Sequence, residues 1–213
     1  MNTPELTIHH AHGSSDPPFT KLSLDWFGER VRPSAEFSLS FEDDRLVFRS
    51  RRQKGALCQP GAEEGQFFEG LWFHDVAELF VSDPITGHYL EVNLSPRGAY
   101  WACIFDAPRR RVAEVRSCGA QARGMCREGQ WEARVDLPLA WMRSHLHFGL
   151  ETRFNVTFIL DSPSQRFLSV ADLGGGDPDF HRPAGFLQWR EEGPLANEEA
   201  YSCLLYTSDA ADE

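Results

Sequence analysis

Trp72 and Glu78 place an indole ring and a carboxyl group in one short run, Gly70-Leu-Trp-Phe-His-Asp-Val-Ala-Glu-Leu-Phe80. Together they suit a ligand with an apolar ring face and a rim of hydroxyls, as a sugar has. An aromatic side chain covers the face, and carboxylates, amides and guanidinium groups satisfy the rim at roughly 1.5–3 kcal/mol per charge-assisted hydrogen bond. Glu78 sits between Val76 and Phe80 on one face of a β-type run, so it needs a partner if it is buried. The alternative for the same residues is that Trp72 packs in the core and Glu78 pairs with an internal Arg. Tyr89, Glu91 and Asn93 share one face of the next alternating run, and Asn155 with Thr157 could extend that face from another strand. An ordinary solvated sheet face would show the same pattern.

The elements that must carry these residues are short strands. Leu90, Val92 and Leu94 alternate with Tyr89, Glu91 and Asn93, and Trp131, Ala133, Val135 and Leu137 alternate with Glu132, Arg134 and Asp136. Glu36 to Phe41 and Arg45 to Ser50 flank Glu42-Asp43-Asp44 as a hairpin, and Val76 to Val81 with His88 to Leu94 form a second. Strands are also expected over Ala99 to Phe105, Arg111 to Arg116, Phe154 to Leu160 and Phe167 to Ala171. A short helix is expected after Pro138. Regular strand spacing with turn clusters predicts an all-β antiparallel sandwich, jelly-roll or immunoglobulin-like, with one or two short helices.

Gly70 to Phe80, then Tyr89-Leu-Glu-Val-Asn-Leu-Ser-Pro-Arg-Gly98 and Trp101, resembles the family 9 carbohydrate-binding modules and their DOMON-like relatives. Gly129 to Pro138, Phe154-Asn155-Val156 and Pro178-Asp-Phe-His-Arg-Pro183 continue the resemblance, which spans roughly residues 20 to 190. It implies a non-catalytic domain whose ligand is a mono- or oligosaccharide. It also implies sugar contacts from Trp72 and Glu78, with Arg97 as a hydroxyl donor. Asp75, Glu91, Asn93, Asn155 and His181 complete the ligand-binding set. The second aromatic remains open among Trp101, Phe180 and Trp189. Family members carry structural calcium, and Asp75, Glu78 and Asp83 are the residues that could join such a Ca²⁺ site, although no DxDxDG loop is present. Two other readings stand beside this one. Glu78 and Glu91 could serve a glycoside hydrolase, which needs two suitably spaced carboxylates. A DOMON-like domain could instead bind another small molecule or a protein.

Composition narrows the partners. A formal charge of −11 over 213 residues disfavours nucleic acid and anionic membrane surfaces. The cysteines form no CxxC pair, and His9, His10 and His12 lack a fourth ligand. The start has neither a cationic stretch nor an apolar run, so the expectation is a cytoplasmic monomer. Residues 1–18 read as a flexible polar arm, 19–192 as the sandwich and 193–202 as an extension. Residues 203–213 resemble a translated transposon-end sequencing adapter, and they add acids but no Lys or Arg to the charge.

Overall fold

The computed structural model describes residues 5–10 and 17–192. The strands run β1 (Glu5–His10), β2 (Thr20–Leu24), β3 (Arg30–Glu42) and β4 (Arg45–Arg52), followed by a long loop that ends in a one-turn 3-10 helix at Leu71–Phe73. Next come β5 (Val76–Ser82), β6 (Tyr89–Leu94), β7 (Tyr100–Ala107) and β8 (Arg110–Glu114). The chain continues through β9 (Gln121–Arg127), β10 (Gln130–Pro138), α1 (Leu139–Leu146), β11 (Arg153–Leu160), β12 (Arg166–Ser169) and β13 (Gln188–Glu192).

The strands form two sheets around one continuous apolar core, so the all-β sandwich is what the chain builds. The first sheet has the order β13-β1-β3-β4-β10-β9, with β2 also on β3; the second is β12-β11-β5-β6-β7-β8. Both expected hairpins form. Glu42 pairs with Arg45 across a tight turn in which Asp43 takes a positive φ, a conformation Asp tolerates well. Pro138 closes β10 and stands at the N-cap of α1, where its fixed φ and missing N–H do no harm.

The central strands β5, β6 and β7 are buried on both faces. Ala77, Leu79, Val81, Leu90, Val92 and Leu94 face the first sheet, while the residues of opposite parity lie under loops. At about 25 cal/mol per Å² of apolar surface, this two-sided burial makes these strands the thermodynamic centre of the domain.

Three expectations need correction. The arm is not loose over Glu5–His10: Leu6 and Ile8 alternate into the core, and β1 pairs with β13 over Glu5↔Gln188 to His9↔Glu192. The run is too short to read as a strand without its partner from the other end of the chain. That pairing is parallel, as is the pairing of β1 with β3, so the first sheet is mixed. β2, β9 and β13 also escape sequence reading, because these short strands bury almost none of their residues and so show little apolar alternation. His12, the extension 193–202 and the adapter-like residues 203–213 lie outside the described residues.

One close approach links the sheets beside β6. Gly98, at φ +84 in the turn after that strand, lies against Gly124 of β9, and a Cβ on Gly98 would fall 2.3 Å from the Gly124 nitrogen. Gly98→Ala therefore adds a backbone clash to left-handed strain, a combined loss of about 2–4 kcal/mol. Gly87→Ala, with φ +74 but nothing within 4 Å, carries the strain alone. Urea unfolding should show Gly98→Ala destabilised well beyond Gly87→Ala; equal losses would mean that the contact with β9 is not rigid.

Candidate functional site

Side-chain parity on the second sheet creates the site. Glu78 and Phe80 of β5, Glu91 and Asn93 of β6, Trp101 and Phe105 of β7, and Thr157 and Ile159 of β11 all leave the sheet on the face turned away from the first sheet. All of these except Asn93 and Thr157, which support the two glutamates as hydrogen-bond donors, line a cleft of about 370 Å³. Trp72 and Phe73 wall one side, Arg109 and Arg111 another, and Gln165, Phe167, Pro178, Phe180 and His181 close the rest.

The wall residues are held by specific bonds. Gly70 enters the 3-10 turn at φ +87, a value glycine adopts freely. The backbone carbonyl of Trp72 accepts from Gln165 Nε2 at 3.0 Å. Behind it, the buried Asp75 carboxylate accepts the Ser162 N–H at 2.8 Å and the Leu57 N–H at 3.4 Å, fastening the long loop to the end of β11. Trp72 meets Trp101 edge to face, with centroids 5.1 Å apart and planes at 65°. Arg111 lies over both rings, at 5.4 and 4.8 Å from their centroids, and its guanidinium is anchored by Glu69. Arg109 is held by Asp179 at 2.9 Å.

The floor holds two buried carboxyl groups. Thr157 Oγ1 donates to Glu78 Oε2 at 2.7 Å, and Asn93 Nδ2 donates to Glu91 Oε1 at 2.8 Å. Burial, and then the nearby charge of Glu91, push the Glu78 carboxyl up to about 8 against the opposing effects of Thr157 and Arg109. Burial likewise pushes Glu91 up to about 7, opposed by Asn93, Arg111 and Arg109. His181 is pulled down to about 4 by burial and then by Arg109, with Asp179 opposing, so its ring is neutral. Its Nδ1 lies 2.7 Å from the Tyr89 hydroxyl, and its Nε2 lies 3.7 Å from Glu91 Oε2. With Tyr89 donating to Nδ1, the ring proton sits on Nε2 and faces Glu91. Asn93 Oδ1 is buried without a hydrogen-bond partner among the described residues. The acid pair is thus neither solvated nor neutralised by an internal Arg: Glu78 makes no ion pair among the described residues, which rules out the guanidinium partner considered from sequence.

Of the residues singled out from sequence, the fold brings Trp72, Glu78, Glu91, Trp101, Phe180 and His181 to the cleft. The others go elsewhere. Asp75 is a structural acceptor. Asn93 stands behind Glu91 as its donor. Asn155 is occupied by Ser169 Oγ and the Ala171 N–H. Arg97 is exposed in the turn after β6 and does not line the cleft. Trp189 packs on Phe41, Phe148 and Phe154 instead. Asp75, Glu78 and Asp83 do not assemble a calcium site: Asp83 bonds Thr86, Ile85 and His147, and no cluster of three potential metal ligands occurs among the described residues. Trp72 and Trp101 touch each other, so they are not the two jaws of a sandwich. Sequence reasoning missed Arg109, Arg111, Gln165, Phe73, Phe80, Phe105, Phe167 and Pro178. Phe105 was within reach, because it repeats the parity of Trp101; the loop residues carry no periodic signal.

No protein-family model matches the chain. Among curated proteins it is similar to the UPF0462 protein C4orf33 homolog of Rattus norvegicus, 33% identical over 132 residues that cover 58% of this chain and 62% of that protein. The human UPF0462 protein C4orf33 is 31% identical over 131 residues, covering 57% and 61%. The chain thus spans less than two thirds of the length of the curated relatives it matches. Among solved structures, a candidate carbohydrate-binding protein from Bacteroides uniformis superposes with a TM-score of 0.72 at 16% identity, over 90% of this chain and 100% of that one. A family 9 carbohydrate-binding module from Caldicellulosiruptor kristjanssonii, solved with glucose, gives 0.55 at 13% identity, over 90% and 98%. The module from the same organism solved with cellotriose gives 0.57 at 11% identity, over 92% and 97%. The fold is therefore that of the family 9 modules, as the resemblance in the sequence implied.

The raised acid pair has a readable consequence. A carboxyl whose folded value is raised favours the fold fully below its unfolded value, and that contribution is lost as pH rises through about 7 to 8. His181, with a lowered value, works oppositely between about 4 and 6.5 and is common to both proteins compared. Thermal unfolding of Glu78→Gln/Glu91→Gln should therefore gain on the unsubstituted protein by several degrees between pH 5 and 8.5. A difference in Tm that stays constant over that range would mean that the carboxyls are not desolvated.

Proposed function

We propose that this cleft binds a neutral mono- or oligosaccharide. The observation that carries the reading is the combination on one surface: the faces and edges of Trp72, Trp101 and Phe105 beside hydrogen-bonding groups from Glu78, Glu91, His181, Gln165, Arg109 and Arg111. Aromatic surface covers the apolar face of a pyranose, and the oriented polar groups answer its hydroxyls. Charge supports a neutral ligand. Each cleft arginine already has a carboxylate partner at the rim, Asp179 for Arg109 and Glu69 for Arg111. A further anion would compete with these pairs, and a cation would meet the two guanidinium groups. The glucose and cellotriose named for the structural neighbours add support from the fold alone.

Titration calorimetry with glucose, cellobiose and cellotriose tests the proposal. Trp72→Ala should weaken binding at least about tenfold, since losing the apolar surface that the indole buries against the sugar costs about 1.5–3 kcal/mol. Arg97→Ala, outside the cleft, should bind as the unsubstituted protein does. Absence of heat with all three sugars, or unchanged binding by Trp72→Ala, would overturn the assignment.

A further inference from the structure

The cleft floor holds more than recognition needs. Hydroxyl groups are met well enough by amides and exposed carboxylates, yet here two carboxyl groups are buried side by side on adjacent strands. Glu78 lies across from Asn93, so Glu91, two residues before Asn93, is its diagonal neighbour on the same sheet face. Diagonal neighbours of this type are about 7–8 Å apart at most, within reach of two Glu side chains converging on one small group of atoms. Each carboxyl has one oxygen held, by Thr157 for Glu78 and by Asn93 for Glu91, and the second Glu91 oxygen faces His181 Nε2 at 3.7 Å, beyond a direct hydrogen bond.

We propose that the cleft, beyond holding a reducing sugar, interconverts its α and β anomers, with the Glu78 carboxyl as general acid and the Glu91 carboxylate as general base; this rests on the sugar-binding reading above. Glu78 delivers its proton to the ring oxygen as the bond from that oxygen to C1 breaks. Glu91 takes the proton of the anomeric hydroxyl, whose O–H electrons become the second bond of the C1 carbonyl. The open-chain aldehyde turns about C1–C2 and recloses. The C5 hydroxyl adds to C1 and gives its proton to Glu78, while Glu91 returns its proton to the carbonyl oxygen. Both carboxyl groups end as they began, and no co-reactant is consumed.

Geometry selects this reaction over glycoside hydrolysis. Hydrolysis places its two carboxyl groups on either side of the scissile bond. Glu78 and Glu91 rise from one face of adjacent strands, a placement that suits two groups acting on neighbouring oxygens of one ligand. Ring opening needs an acid and a base at two oxygens on the same carbon, which one edge supplies. The groups facing the pair are His181, Arg109, Arg111, Thr157 and Asn93. Burial raises the proton affinity of both carboxyls, which suits one to give a proton while the other takes one. His181, set by the Tyr89 hydroxyl and directed at Glu91 Oε2, is a positioning residue for the base.

Polarimetry at pH 7 on freshly dissolved α-D-glucose, α-D-galactose and α-D-xylose tests the proposal, with calorimetry on the same sugars and the same protein. For a sugar that binds, the protein at substoichiometric concentration should raise the mutarotation rate at least tenfold over a buffer of matched carboxylate content. At saturating sugar, Glu78→Gln and Glu91→Gln should each lose at least tenfold of that increment per bound protein, whatever change in affinity calorimetry records, and retention of the full increment by both would overturn the acid–base assignment. Binding without acceleration by the unsubstituted protein would overturn the catalytic proposal and leave the binding assignment standing. Absence of binding to all three would remove both. Hydrolysis of 4-nitrophenyl glucosides, reading out opposite-face chemistry, would overturn the same-edge geometry.

Discussion

Two carboxyl groups kept from water on adjacent strands are the constraint from which the cleft follows. Burying even one ionised carboxylate without a cation is unfavourable by several kcal/mol, and the second raises the penalty through like-charge repulsion. The protein meets this with neutral donors, Thr157 and Asn93, and with guanidinium groups kept at the rim. A direct ion pair would discharge the site and fill it. Arg109 and Arg111 pair instead with Asp179 and Glu69, which leaves the two acids without a guanidinium ion pair among the described residues.

The walls depend on the 3-10 turn and on loops tied to the sheet, with Arg111 of β8 and Phe167 of β12 beside them. Asp75 supplies a buried acceptor to two segments: its carboxylate takes N–H groups from Leu57 in the long loop and from Ser162, two residues after β11. The chain then places Trp72 against Trp101, and the stacking of Arg111 on both rings keeps the aromatic surface in one orientation. On the opposite side, Tyr89 stacks on Phe105 and fixes His181 through its hydroxyl. The site is thus largely pre-organised, so ligand binding would require little ordering of side chains.

The comparisons agree with this division of labour. The structural neighbours share the sandwich at 11–16% identity, so the scaffold is retained where side chains have diverged. The UPF0462 proteins share sequence over about three fifths of their length. Function has to be argued from the residues on the sheet face, because one sandwich can carry many different sites.

Strand parity made much of the sandwich and half of the cleft legible from residues alone. Once Leu90, Val92 and Leu94 face inward, Glu91 must face outward, and the same reasoning places Glu78 and Trp101. Such short-range geometry has a period of two and needs no knowledge of the rest of the chain. What lay on top of that face was not legible. Arg109, Gln165 and Pro178 reach the cleft from segments with no repeating pattern, and Arg97, similar in chemistry to Arg109, points elsewhere. The strand Glu5–His10 shows the same limit, since its partners come from Gln188–Glu192 and Ser40–Phe41. The sequence by itself determined which residues could share a face. The tertiary structure alone decided which faces were covered, which acids lost their water and which cations were held away, because those outcomes depend on contacts between segments far apart in the chain.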